Sequence, residues 1–106
     1  MANTFKNYAS KNVGTSAATV LTAATSTTVI GLSVACLVST AITADAYITS
    51  GGVDYYIVKG ATVLPGGALV VVGGDQKLVL ETGDALKVVT NTATSADVFC
   101  SVLEIS

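Results

Sequence analysis

Residues 29–38 read VIGLSVACLV, and this stretch decides the fold class. Larger apolar side chains recur at every second position, namely Ile30, Leu32, Val34, Cys36 and Val38. Small residues stand between several of them, at Gly31, Ser33 and Ala35. A period of two is typical of a β-strand with one buried face. We therefore predict a strand here, with the side chains that share the parity of Ile30 in the core.

Short β-branched runs on both sides predict further strands. They cover residues 18–22, 42–49, 53–59, 68–72, 77–80, 85–90 and 97–105. Turn-forming clusters separate them, including Ser50-Gly51-Gly52, Pro65-Gly66-Gly67 and Gly73-Gly74-Asp75. Because no window keeps the 3.6-residue apolar period of a helix, the sequence predicts an all-β fold of about eight strands. We expect an antiparallel β-sandwich, with jelly-roll or immunoglobulin-like strand order left open.

A length of 106 residues leaves room for one domain of ordinary size. Residues 1–16 are mostly polar, with isolated aromatic residues at Phe5 and Tyr8, and we interpret them as an N-terminal arm that is either loose or laid onto a neighbour. Residues 17–106 are then the single sandwich domain.

The missing residue types exclude most catalytic and metal sites. The chain has no histidine and no arginine, and only two cysteines, so Ser-His-Asp sites, Cys-His sites and four-ligand zinc sites cannot form within it. Its carboxylates at Asp45, Asp54, Asp75, Glu81 and Asp84 lie at or near turns, without the spacing of a calcium loop. We therefore expect neither an enzyme nor a metal or cofactor site.

The charge balance also reduces the range of possible binding partners. Five basic residues face seven acidic ones, so no basic surface attracts nucleic acid. The most apolar stretch, residues 29–42, is too short and too rich in hydroxyl groups for a membrane helix, and the residues before it lack the basic and apolar regions that we would expect of a signal peptide. We expect synthesis in a cytoplasm, without a membrane partner.

Low charge indicates a surface that other chains cover. Only 11% of the residues are charged, against about a quarter in average proteins. Residues 68–72, and in part 99–105, are apolar on both parities, and a small domain without helices cannot bury both faces of a strand. We predict a homo-oligomer, a trimer or ring, and we name as interface candidates Phe5, Tyr8, Tyr47, Tyr55, Tyr56, Val70 and Val72. A sugar-stacking platform of Tyr47, Tyr55 and Tyr56 is the alternative use of the hairpin tyrosines.

Cys36 and Cys100 lie in two predicted strands, 64 positions apart. They are either two buried thiols that act as small apolar side chains or the partners of a disulfide, within one subunit or between subunits.

Several segments together resemble a family of small virion structural proteins of tailed bacteriophages. They are residues 26–35 (STTVIGLSVA), 55–62 (YYIVKGAT), 70–80 (VVVGGDQKLVL), 82–89 (TGDALKVV), 94–98 (TSADV) and 101–104 (SVLE). The resemblance implies a non-enzymatic β-sandwich that attaches to the capsid or to the neck and tail. The family pattern has other residues where this chain has Cys36 and Cys100, which favours a covalent link between subunits.

These observations lead to one expected function and two alternatives. We expect a capsid decoration or cement subunit that stabilises the head, bound to the major capsid protein and located in the virion after synthesis in the host cytoplasm. The alternative within the same class is a neck, collar or tail component that binds neck or tail proteins. The alternative of another class is a carbohydrate-binding adhesin module.

Overall fold

Nine strands make up most of the described residues, 3–73 and 76–105, of a computed structural model. They are β1 (Asn3–Val13), β2 (Ala18–Thr22), β3 (Ser26–Cys36), β4 (Ile42–Ser50), β5 (Val53–Val63), β6 (Ala68–Val72), β7 (Leu78–Leu80), β8 (Ala85–Thr90) and β9 (Ala96–Ile105). The predicted all-β class is confirmed, and each of the eight predicted strands overlaps an observed one. The ninth strand, β1, comes from the segment expected to be an arm.

The strands pair in a nested order around one hairpin. Strand β4 pairs with β5, β3 with β6 and β7, β2 with β8, and β1 with β9, all antiparallel. The first sheet has the order β1-β9-β3-β6, with β7 also on β3, and the second sheet has the order β2-β8-β4-β5. This is the strand order of a jelly roll, which decides between the two sandwich types that the sequence left open.

Two glycines close the central hairpin. Gly51 and Gly52 join β4 to β5 and have φ values of 60° and 79°. Positive φ at both central residues matches the twist of the two strands, and glycine adopts it without a steric penalty. The predicted turn at residues 50–52 therefore lies at the centre of the whole pairing scheme.

The core lies between the two sheets and consists of aliphatic side chains from both. Its largest fully buried members are Leu32, Ile42, Leu80, Leu86, Val29, Val34, Val63, Val72, Val88, Val98 and Val102. Burial at about 25 cal/mol per Å² of apolar surface is the main force that holds the sheets together. Thr27, Thr90 and Ser95 are buried polar residues, and their hydroxyl groups are hydrogen-bonded.

Two β-bulges change the predicted inward faces. Val29 pairs with Val102 while Gly31 pairs with Ser101, so Ile30 is an extra residue in β3, and Val29 rather than Ile30 points into the core. In β6, Leu32 pairs with Val72 while Ser33 pairs with Val70, which makes Val71 the extra residue. A bulge shifts the alternation by one residue. The prediction that Ile30 shares the buried face is therefore wrong.

The expected N-terminal arm is, over residues 3–13, the edge strand of the first sheet. It lies on β9 of its own chain rather than loose or on a neighbour, because backbone pairing needs no apolar alternation and most of its side chains stay exposed. Residues 1, 2 and 106, which belong to the predicted arm and domain, lie outside the described residues, as do Gly74 and Asp75 of a predicted turn. Nowhere in the described ranges is there a helix long and apolar enough to span a membrane.

Candidate interaction surfaces

The outer face of the first sheet is defined by the outward side chains of β1, β9, β3, β6 and β7; we call it the uncharged face. Its main members are Phe5, Asn7, Ala9, Thr28, Ile30, Ser33, Val70, Val79, Phe99, Ser101 and Leu103. Of the described outward strand residues, only Lys11 and Asp97 are charged, and both lie at one end. Apart from this pair, the described strand residues of the face lack the charged groups that keep most protein surfaces in water.

The strand register arranges this face in rows. One row runs from Phe5 through Leu103 and Thr28 to Val79. Another runs from Ala9 through Phe99 and Ser33 to Val70. The exposed fractions are 74% for Phe5, 50% for Phe99, 67% for Val70 and 68% for Val79. Large apolar side chains in ordered rows, separated by small ones, make a surface suited to another protein.

Phe99 stands between two depressions. The first, of about 300 Å³, is lined by Ala9, Ser33, Ala35 and Phe99 among others. The second, of about 360 Å³, lies toward Phe5 and Ile30. An exposed aromatic ring flanked by hollows is the shape that interlocks with side chains of a partner.

An ion pair closes one end of the uncharged face. Lys11 Nζ lies 3.0 Å from Asp97 Oδ2, and Asp97 Oδ1 accepts a hydrogen bond of 3.1 Å from the Asn12 backbone N–H. The Asn12 bond, and then Lys11, hold the pKa of Asp97 below its usual value. Asn12 has a φ of 55°, a left-handed conformation that asparagine tolerates better than most residues. This corner fixes the end of β1 against β9.

The outer face of the second sheet differs in chemistry, and we call it the charged face. Its outward side chains include Asp45, Tyr47, Asp54, Tyr56, Lys59 and Lys87. The Tyr47 and Tyr56 ring centroids are 4.9 Å apart, and Lys59 Nζ lies 4.3 Å from the Tyr56 centroid. Lys59 Nζ also lies 3.9 Å from Asp45 Oδ2. Aromatic packing, a cation–π contact and an ion pair thus occupy this face with contacts inside the chain.

The hairpin tyrosines do not form a shared platform. Tyr47 is only 8% exposed, and its burial raises its pKa. Tyr56 contacts Tyr47 and Lys59, while Tyr55 pairs with Ile48 instead of with the other two tyrosines. A sugar ring needs a free aromatic face, and Tyr47 does not offer one.

The other predicted interface residues fall in three places. Phe5 and Val70 lie on the uncharged face and are well exposed. Tyr8 is half-buried, and its hydroxyl donates to Glu104 Oε2, which raises the Tyr8 pKa. Val72 is 1% exposed and lies in the core, so its prediction as an interface residue is wrong. The Val71 bulge causes this, because it turns both Val71 and Val72 inward.

Both cysteines are free, buried thiols in the structure. Cys36 pairs with Ala96 and Cys100 with Leu32, so they lie four residues apart along neighbouring strands, roughly 13 Å at the usual rise per residue. A disulfide needs Cα atoms within about 7 Å, which excludes a bond between them in this fold. Burial raises the pKa of Cys100 to about 11, and burial also keeps both thiols from a second subunit. Of the two interpretations, the structure supports the buried thiols.

Three of the carboxylates singled out in the sequence, Asp45, Asp54 and Asp84, each accept a local hydrogen bond. Asp45 accepts the Gly60 N–H at 2.6 Å, Asp54 accepts the Thr49 hydroxyl at 2.6 Å, and Asp84 accepts the Ser50 hydroxyl at 2.6 Å. The Ser50 bond lowers the Asp84 pKa. Among residues 3–73 and 76–105, no three potential metal ligands come together.

Phe99, Val79 and Leu103 were not among the predicted interface residues. The sequence did contain a signal, since Phe99 and Leu103 belong to a run that is apolar on both parities. Only the strand register shows that they share one outer face with Phe5 and Val70.

No protein-family model, no curated protein and no solved structure matches this chain. The surfaces of the molecule are therefore the basis on which a function can be proposed.

Proposed function

We propose that the chain is a non-enzymatic structural protein of a bacteriophage virion, a capsid decoration or cement subunit bound to the major capsid protein. The observation that carries the proposal is the uncharged face, a sheet surface with rows of exposed apolar side chains. The resemblance of the sequence segments to small virion proteins supplies the biological setting. The jelly-roll order is compatible with it, because viral capsid domains use this architecture, although lectins do too.

Docking would stabilise the particle because it buries apolar area and because the uncharged face brings few charges into the interface. A subunit laid across neighbouring capsid proteins removes apolar surface from water at about 25 cal/mol per Å², although association entropy offsets part of that gain. The described strand residues of this face are uncharged over most of its length. Docking therefore does not bury unpaired charges in a low-dielectric interface. More work is then needed to separate neighbouring capsid proteins of the particle.

A neck, collar or tail component is the second proposal, because a ring of subunits would use the same face. The two differ in copy number. A decoration protein is present in hundreds of copies per particle, whereas a neck or tail ring holds roughly six or twelve.

The carbohydrate-binding alternative has less support, since the three hairpin tyrosines are separated or covered. A glycan array tests it directly. A specific glycan whose binding is lost in Tyr55→Ala would favour the adhesin function over the virion function.

The deciding experiment is quantitative mass spectrometry of purified particles, followed by rebinding. We expect hundreds of copies per particle, and we expect purified chain to rebind to particles from which it has been stripped. About six or twelve copies would move the protein to the neck or tail. Absence from the particles would overturn both virion proposals.

A further inference from the structure

The four outer edges of the sandwich are not equivalent. At three of them the strands are short or irregular: β2 has 5 residues and a register shift, β5 has two register shifts, and β6 has 5 residues, a shift and the interruption before the three-residue β7. Proteins use such features to prevent strands of other molecules from adding to a sheet. Strand β1 has 11 residues. Its register with β9 shifts between Ser10 and Val13, but it is continuous over the eight residues from Asn3 to Ser10, the longest unshifted pairing among the described edge strands.

We propose that β1 is an assembly edge that pairs antiparallel with β1 of a second copy, around a twofold axis at Asn7. This goes beyond the virion proposal and does not depend on it. An isologous contact closes at two copies, so it predicts a dimer as the basic unit in place of the trimer or ring expected from the sequence.

The alternation of side chains selects this register. In an antiparallel pair around a twofold axis, opposite residues point to the same side of the sheet. The odd-numbered residues of β1 lie on the uncharged face. Centring the pair on Asn7 uses the strand from Asn3 to Lys11 and places Phe5 opposite Ala9 of the second copy.

The charges on β1 are compatible with this pairing. In the centred register Lys6 lies opposite Tyr8, and Lys11 lies opposite Asn3. The two Lys6 residues are diagonal neighbours, and no two lysines lie directly opposite each other. Lys6 already has Glu104 at 3.6 Å, and Lys11 has Asp97 at 3.0 Å, within its own chain. Charged side chains on an edge strand usually discourage pairing, and here both have partners.

The pairing also gives Phe5 a neighbour. Its side chain is 74% exposed and has Leu103 beside it on one strand only. Ala9 of the second copy leaves room for the ring, which makes an aromatic–small cross-strand pair. The two uncharged faces then lie on the same side of one continuous sheet, so the dimer presents twice the apolar surface to a partner.

Cysteine cross-linking tests the axis. In Asn7→Cys two thiols would lie directly opposite each other, with Cα atoms about 4.5–5.5 Å apart, within the range of a disulfide. We expect mild oxidation of the purified variant to give a covalent dimer. Thr62→Cys, an exposed position on the edge strand β5, is the matched control and should stay monomeric on the gel. The native cysteines are buried and do not compete.

Sedimentation of variants without added cysteine gives a second, independent readout. Asn7→Lys would place two ammonium groups against each other on the axis, so we expect at least a tenfold weaker dimer, whereas Thr62→Lys should leave the dimer unchanged. Circular dichroism establishes that both variants are folded.

Two results would overturn the proposal. One is a wild-type chain that sediments as a monomer at a concentration of about 100 µM. The other is an Asn7→Cys variant that cross-links no better than the Thr62→Cys control. Neither result bears on whether the chain occurs in particles.

Discussion

The two outer faces of the sandwich carry a similar number of aromatic rings but use them differently. On the charged face Tyr47 packs against Tyr56, Lys59 covers Tyr56, and Tyr47 is almost fully buried. On the uncharged face Phe5 lies beside Leu103, Phe99 lies between Ala9 and Ser33, and both rings remain at least half exposed. Both rings of the charged face have an aromatic partner within the chain, even though Tyr56 is 47% exposed, whereas neither ring of the uncharged face has one among the described residues. We propose that this difference separates residues that stabilise the fold from residues that bind a partner.

The largest effect that we expect comes from removing a ring on the charged face. Tyr47→Ala should lower the free energy of unfolding by about 3 kcal/mol, because it empties a buried, ring-sized space. Phe99→Ala should cost less than about 1 kcal/mol, since half of that side chain is already in water. Urea unfolding of the two variants measures both values. Equal losses would show that the two faces do not differ in their contribution to stability.

Binding to particles should show the reverse order. Phe99→Glu places a charge between the two depressions and should weaken rebinding to stripped particles about 100-fold, the effect of a central hot-spot residue. Tyr56→Glu changes a ring of nearly equal exposure on the charged face and should change binding less than about threefold. Titration of labelled chain onto particles measures both. A stronger loss in Tyr56→Glu would place the docking site on the charged face.

Replacing one glycine of each sheet by alanine should give a smaller difference in stability. Gly60 has a φ of 67°, and its N–H donates to Asp45, so Gly60→Ala should cost about 1 kcal/mol through left-handed strain. Gly31, on the β3 strand of the uncharged face, has room for a methyl group, with Ser101 Cβ 3.9 Å from the added Cβ. Gly31→Ala should leave stability within about 0.5 kcal/mol of wild type. Thermal unfolding measures the pair, and a larger loss for Gly31→Ala would contradict the packing described for β3.

Acid should lower the stability of the fold through Asp97 and Asp84. Hydrogen bonds lower the pKa of both carboxyl groups in the folded state. Their stabilisation is therefore present above the ordinary carboxyl pKa and is lost as pH falls through the lowered folded values. Unfolding midpoints in urea from pH 7 to pH 2 should decline at the acid end, and Asp97→Asn should decline less steeply. An acid dependence that is identical in Asp97→Asn would exclude the Asn12 and Lys11 contacts as its source.

The fold class followed from the sequence because the apolar period of two and the glycine turns are local signals. Strand positions such as residues 18–22 and 68–72 were predicted with the observed bounds. The strand order was not predictable, since the pairs β1–β9 and β2–β8 join segments distant in the chain. The two bulges could not be predicted either, because an extra residue at Ile30 or Val71 leaves an ordinary apolar run in the sequence.

The candidate surface was predictable only in part. Composition indicated a surface that other chains cover. Phe5 and Val70, two of the predicted interface residues, are exposed apolar residues, and their contact with a partner stays a prediction. Their common face with Phe99 depends on register, which a single sequence does not determine. Val72 was assigned to the surface because the rule of alternation fails at a bulge.

Hydroxyl-radical footprinting of free chain and of intact particles tests the central claim most directly, because it reports the exposure of each aromatic ring in place. Oxidation of Phe99 should fall severalfold on the particle, while Tyr55 and Tyr56 should be oxidised as in the free chain. Protection of Tyr56 with unchanged oxidation of Phe99 would show that the charged face meets the partner, and would contradict the assignment of docking to the uncharged face.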